Sequence, residues 1–189
     1  FSADHGETVG SHGGLTDKGW HHFEEIQRIP LIVSGPELLI GRGGVVRDET
    51  ASILDLYPTL LDAAGADPMN DGNGGAVHGV SLLPLLRGES SNPRDEVFIE
   101  FGGVNCLATT MITCVSGNIK YGWNAGNTDE LYDLGNDPDE TKNLINDPRY
   151  TSTLKDMRKR LERFLVDTDF PGPGLNMYRQ STMRLYDET

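Results

Sequence analysis

Phe1-Ser2-Ala3-Asp4-His5-Gly6-Glu7, then a glycine-rich run to Lys18, then Glu24-Glu25-Ile26-Gln27-Arg28-Ile29-Pro30-Leu31-Ile32-Val33-Ser34-Gly35-Pro36: this opening stretch decides how the rest of the chain is read. Residues 1–3 form a short, partly apolar piece that stops at a carboxylate, an imidazole and a glycine. Open α/β sheets place ligand-binding groups at such strand ends. Asp4 and His5 supply one oxygen and one nitrogen donor from a single turn. Gly6 allows the backbone to turn tightly behind them. Glycines at 6, 10, 13 and 14 interrupt regular structure before Lys18, which predicts a loop. Leu31-Ile32-Val33 reads as a buried strand, begun by Pro30 and ended by Gly35-Pro36. Glu25 and Arg28, three residues apart, are expected to pair. His21 and His22 beside Trp20 could line a pocket or lie in an exposed loop.

Further on, Ile53, Leu54, Tyr57, Leu60, Leu61 and Ala64 recur at helical spacing, with Asp48 or Thr50 as the cap. Pro58 must kink this helix or sit in its first turn, and Gly65 stops it. The helix is expected to pack through its apolar side. The Asp/Asn/Gly run in residues 67–79 lacks the alternating acidic ligands and distal Glu of a calcium-binding EF-hand, so it reads as a loop. Residues 96–101, 107–115, 119–123 and 130–134 read as four strands joined by Gly/Asn turns, an antiparallel meander. Leu154, Met157, Leu161, Phe164 and Leu165 then mark one face of a helix across that sheet. Lys155, Arg158, Lys159, Arg160 and Arg163 are expected on its solvated side. Pro171-Gly172-Pro173-Gly174 should end it, and residues 175–189 form a tail packed on the chain or on a neighbour.

The 189 residues suffice for a core. A net charge of −13 argues against a nucleic-acid partner. No apolar run approaches the roughly 20 residues of a membrane-spanning helix. Cys106 and Cys114 on one strand would stand about 26 Å apart, beyond the ~7 Å between Cα atoms that a disulfide needs. Two buried thiols are expected. Phe1 opens in what reads as mid-strand without an initiator Met, so the expectation is a C-terminal piece of a longer protein.

The order and spacing of the opening stretch resembles the sulfatase family of the alkaline-phosphatase superfamily. That pattern runs Asp-Asn-Gly or Asp-His-Gly, a glycine-rich loop, a lysine, Glu-x-x-Arg-x-Pro-Leu-Ile and Gly-Pro. Here it is met by Asp4-His5-Gly6, Gly10-Ser11-His12-Gly13, Lys18, Glu25 to Ile32, and Gly35-Pro36. Asp55 to Gly65, His78 to Gly88 and Glu130 to Leu144 resemble further family segments that carry packing rather than chemistry. The resemblance implies an α/β fold. Residues 1–94 would form the C-terminal part of the catalytic domain, including part of a large mixed sheet. Residues 95–189 would form an antiparallel four-stranded subdomain with its helix and tail.

It also implies Asp4 and His5 as ligands of a divalent metal, Ca²⁺ in sulfatases. Lys18 falls where the family has a sulfate-contacting lysine, and His12 where it often has a loop histidine. His78 is a fainter candidate near that face. The family's nucleophile is a formylglycine made in a Cys/Ser-x-Pro-x-Arg motif, with an Asp pair near the N-terminus completing the metal site. Neither is in this chain: Cys106 is followed by Leu107-Ala108, and Cys114 by Val115-Ser116. The expected substrate is a small-molecule or sugar sulfate ester, hydrolysed with the help of an absent N-terminal half. The compartment would be periplasmic or extracellular. The 189 residues alone are expected to be inactive. An exposed sheet edge would need covering, and a homo-oligomer is one way to do so.

Two other readings stand beside it. His5 in place of Asn suits Mn²⁺ or Zn²⁺ better than Ca²⁺, as in a phosphonate or phosphate ester hydrolase of the same superfamily. The missing nucleophile motif also fits a non-catalytic, sulfatase-like binding module.

Overall fold

A computed structural model describes residues 1–16, 18, 21–69, 72, 76–89, 94–102, 110–170 and 178–179. Its four strands are β1 (Glu96–Phe101), β2 (Met111–Ser116), β3 (Ile119–Asn124) and β4 (Glu130–Asp133). They form one sheet in the order β1-β2-β3-β4. β2 and β3 are antiparallel, with Cys114 opposite Tyr121; β3 and β4 are antiparallel, with Tyr121 opposite Leu131. The two residues between β2 and β3 begin with Gly117 at a positive φ of 55°, which a two-residue hairpin favours. The meander is as expected, although residues 103–109, where the second strand was to begin, lie outside the described residues.

Strand alternation divides the sheet. Ile112, Cys114, Tyr121, Trp123 and Leu131 join Met157, Leu161 and Leu165 in the hydrophobic core. The last three lie on the helix Thr151–Asp167, at spacings of four residues that place them on one stripe. A 3₁₀ turn, Pro148–Tyr150, leads into it, and the Asp147 carboxylate caps that turn by accepting from the Arg149 amide. Arg158, expected in solvent, is buried instead. Its guanidinium reaches Asp129 at 3.2 Å and the Tyr121 hydroxyl at 3.4 Å, because its stem follows the apolar stripe inward. Cys114 is buried as a thiol; Cys106 lies outside the described residues. Tyr178 returns to this core, edge-on to Trp123, and donates to the Arg158 carbonyl at 2.7 Å.

The opposite face of the sheet carries Thr113, Lys120, Gly122, Asn124 and Tyr132. It is covered too, by residues 21–27, which hydrogen-bond to Thr113, Lys120 and Asn124. The chain accordingly divides into two units that interleave in sequence. One comprises Phe1–Asp4 with Pro30–Val97, the other His5–Ile29 with Phe98–Thr189.

In the first unit, Ser2 and Leu31 form an isolated antiparallel bridge, and Ile32 donates to the Phe1 carbonyl. The expected buried strand is not found there. Leu31, Ile32 and Val33 are exposed, since one bridge supplies no second layer to cover them. A 3₁₀ turn, Ile53–Asp55, continues into the helix Leu56–Ala63. Its cap is Ser52, not Asp48 or Thr50. Ser52 and Asp55 bond reciprocally in a capping box. Pro58 sits in the helix's first turn. At the far end Gly65, at φ 73°, lets the Ala66 amide reach back to the Leu61 carbonyl.

This helix buries the side the sequence did not favour. Ile53, Leu54, Tyr57 and Leu60 are exposed, whereas Asp55, Pro58 and Thr59 are buried. Polar bonds explain the orientation. Asp55 accepts from the Val80 amide and pairs with Arg94, Thr59 accepts from the Leu82 amide, and Ser81 donates to Asp62.

Candidate functional site

The loop that carries the candidate residues begins and ends at one place. The Gly6 amide donates to the Ile26 carbonyl at 2.7 Å and the Glu7 amide to the Glu25 carbonyl at 3.0 Å. These bonds close the base of a loop that starts just after Asp4 and His5. Gly6 is required there: a Cβ would stand 1.8 Å from the Glu25 carbonyl oxygen. Within the loop, residues 11–14 form a single distorted turn with His12 and Gly13 at positive φ, so regular structure is broken where the glycines indicated.

Asp4 and His5 are both exposed; Asp4 ends the opening segment of the first unit and His5 begins the second. The His5 ring places Nδ1 2.9 Å from the Gly6 carbonyl oxygen. A carbonyl can only accept, so Nδ1–H donates in this contact. A bond of this kind from one ring nitrogen is what orients an imidazole that ligates a metal through the other. Among the described residues, no group of three or more His, Cys, Asp and Glu side chains could hold a metal ion. The dipeptide thus offers one oxygen and one nitrogen donor, fewer than the six to eight oxygens typical around Ca²⁺.

His12 is mostly buried. Its ring stacks on Phe23 with centroids 3.5 Å apart, and Nε2 lies 3.2 Å from the Glu25 carboxylate. Glu25 therefore faces His12, and Arg28 pairs with Glu24 at 3.9 Å, in place of the expected Glu25–Arg28 pair. One helical turn separates Glu24 from Arg28, and this leaves Glu25 on the loop side. Lys18 is exposed at a bend in the same loop.

His21 stacks on Phe23 as well, with centroids 5.6 Å apart. Its neighbour behaves differently. His22 is fully buried, between Thr113 Oγ1 at 2.6 Å and Asn124 Oδ1 at 3.2 Å. Burial holds its pKa below the ordinary histidine value, with Glu130 and the Asn124 bond opposing that shift. The pair does not line one pocket, and Trp20 lies outside the described residues. His78 is exposed.

Sequence reasoning missed Lys120, which is buried on β3 between two carboxylates, Glu24 and Glu140. Gly122 held the available signal. A glycine two residues along the same strand face marks the close approach of another segment.

The family model described as N-sulphoglucosamine sulphohydrolase, C-terminal, matches residues 10–167. A Delta 4,5-hexuronate-2-O-sulfatase of Bacteroides thetaiotaomicron is 35% identical over 168 residues, covering 87% of this chain and 34% of the relative. A solved 2-O GAG sulfatase is similar with a TM-score of 0.78 and 31% identity, over 89% of this chain and 36% of that one. The phosphonate monoester hydrolase of Agrobacterium radiobacter is similar with a TM-score of 0.75 and 27% identity, over 88% and 34%. The chain therefore spans about a third of the length of the proteins it matches. With a family model matched over most of its length and the expected sheet and helix in place, this chain belongs to the sulfatase family, over the C-terminal portion that the model describes.

Proposed function

We propose that this chain is the C-terminal part of a sulfuric ester hydrolase acting on a small-molecule or sugar sulfate ester. The observation that carries the reading is the run Asp4-His5, closed loop, Lys18, within a chain of the sulfatase family. Asp4 and His5 supply two donors to a divalent cation. A cation held there would neutralise charge on the sulfate oxygens. Lys18 contacts the sulfate as a compact point charge. His12, engaged with Phe23 and Glu25, shapes the loop and reaches the ester from its edge. The remaining ligands and the nucleophile belong to the part of the family that this chain does not span.

A second reading, a phosphonate or phosphate ester hydrolase, is favoured by His5 as a nitrogen donor and by the likeness to a phosphonate monoester hydrolase. Both are tested with the protein expressed from its complete gene. Aryl and sugar sulfates should be turned over, chelation should abolish turnover, and Ca²⁺ should restore it. Lys18→Ala should lower kcat/KM about 100-fold or more, the loss seen when one charge-stabilising donor is removed. Preference for phosphonates with Mn²⁺ or Zn²⁺ would select the second reading. Sulfate turnover by the isolated 189 residues would overturn the proposed division of labour.

A further inference from the structure

The charged face of the sheet is built around one amine. Lys120 Nζ is fully buried; it donates to the His22 carbonyl at 2.8 Å, and lies 2.6 Å from Glu24 and 2.8 Å from Glu140. The Glu140 carboxylate also accepts from the Glu24 amide at 2.6 Å. Glu140 holds this position from a positive φ of 49°, a conformation that a non-glycine residue adopts at some cost. Beside it the His22 ring lies over Gly122, where a Cβ would come within 2.5 Å of the imidazole. Gln27 adds a bond to Thr113 at 2.7 Å.

Apart from the Lys120–Glu140 pair, these bonds fall on residues 22–27, the returning limb of the loop that carries His12 and Lys18. The outgoing limb is tied to that limb through Gly6 and Glu7. The loop's base therefore rests on β3, held by a buried cation flanked by two anions. Moving the loop base off β3 would leave these charges buried without their partners, so the cluster resists any other placement.

We propose that Lys120, Glu24 and Glu140, together with His22, are positioning residues. They hold the loop base at one height and register on the sheet, so that His12 and Lys18 are presented to the ester together. This rests on the sulfatase reading above for what the loop contacts, but the anchoring itself does not.

The test uses the protein from its complete gene, with Lys120→Met, and with Gly122→Ala as a second variant that displaces His22 without removing charge. Amide hydrogen exchange and steady-state kinetics are measured on both. Exchange within residues 6–27 should quicken by more than that of β2, β3 and β4, whose change should follow the loss of global stability alone. kcat should fall up to about 100-fold, the cost of a misplaced catalytic group, with a small change in KM. In a Lys18→Ala background the same substitutions should cost less than they do alone, since part of their effect passes through Lys18. Unchanged loop exchange in both variants overturns the proposal, and so do losses that simply add to that of Lys18→Ala. If the unsubstituted protein hydrolyses no sulfate ester, the sulfatase reading fails, and the exchange result alone decides whether the anchor exists.

Discussion

The two faces of the β1–β4 sheet are both buried, and by opposite chemistry. One face presents Ile112, Cys114, Tyr121, Trp123 and Leu131 to the long helix. The other presents Thr113, Lys120, Asn124 and Tyr132 to residues 21–27 and Glu140. Apolar contact is non-directional, so the first face secures closure but only loosely dictates what covers it. Hydrogen bonds and ion pairs demand angle and distance, so the second face accepts one segment in one register. Breaching the first face should therefore cost lost apolar burial, breaching the second should strand charges without partners, and placement of the candidate loop should depend on the second.

Substitutions can break that contrast. The largest loss is expected from Trp123→Ala, which empties a fully buried site against Tyr178 and should cost about 3–5 kcal/mol by urea denaturation. Lys120→Met should approach it, also about 3–5 kcal/mol, because Glu24 and Glu140 are left close together without their cation. Adding Glu140→Gln to it should recover part of that loss. A cost for Lys120→Met below about 1 kcal/mol, the range of an exposed ion pair, would mean that the polar face is solvated and the contrast false.

A pH series sharpens the same point. The buried His22 has its pKa lowered by desolvation, so it stays neutral in the folded chain where the unfolded chain's histidine takes up a proton. Its contribution is fully present above about pH 6.5. It is lost as pH falls below that value, by up to about 1.4 kcal/mol per pH unit. The stability difference between the unsubstituted protein and His22→Gln should shrink from pH 7.5 to 5.5. A constant difference would show that His22 does not titrate differently on folding. The smallest effect should come from Arg160→Ala on the exposed side of the helix. There the pair with Asp156 is a surface i,i+4 contact, and its removal should change stability by about 0.5 kcal/mol or less.

The first unit shows the comparison from another side. Its helix Leu56–Ala63 turns Asp55 and Thr59 inward and leaves Leu54, Tyr57 and Leu60 exposed. Apolar spacing predicted that a helix exists here and where Gly65 ends it. It did not predict which side is covered, because specific bonds from Asp55 and Thr59 to residues 80 and 82 fix the orientation.

The residues by themselves determined the four-stranded sheet, the helix stripe at Met157, Leu161 and Leu165, and the family resemblance carried by Asp4, His5 and Lys18. Each of these depends on local spacing, on turn chemistry or on motif, and those are written along the chain. Only the tertiary structure decided that residues 5–29 fold with residues 98–189, that Lys120, His22 and Arg158 are interior, and that His12 is held by Phe23 and Glu25. A lysine on alternate strand positions reads as solvent-facing until a segment almost a hundred residues earlier supplies its partners. Long-range pairing of charges leaves no periodic trace in the sequence, so only the folded chain reveals it.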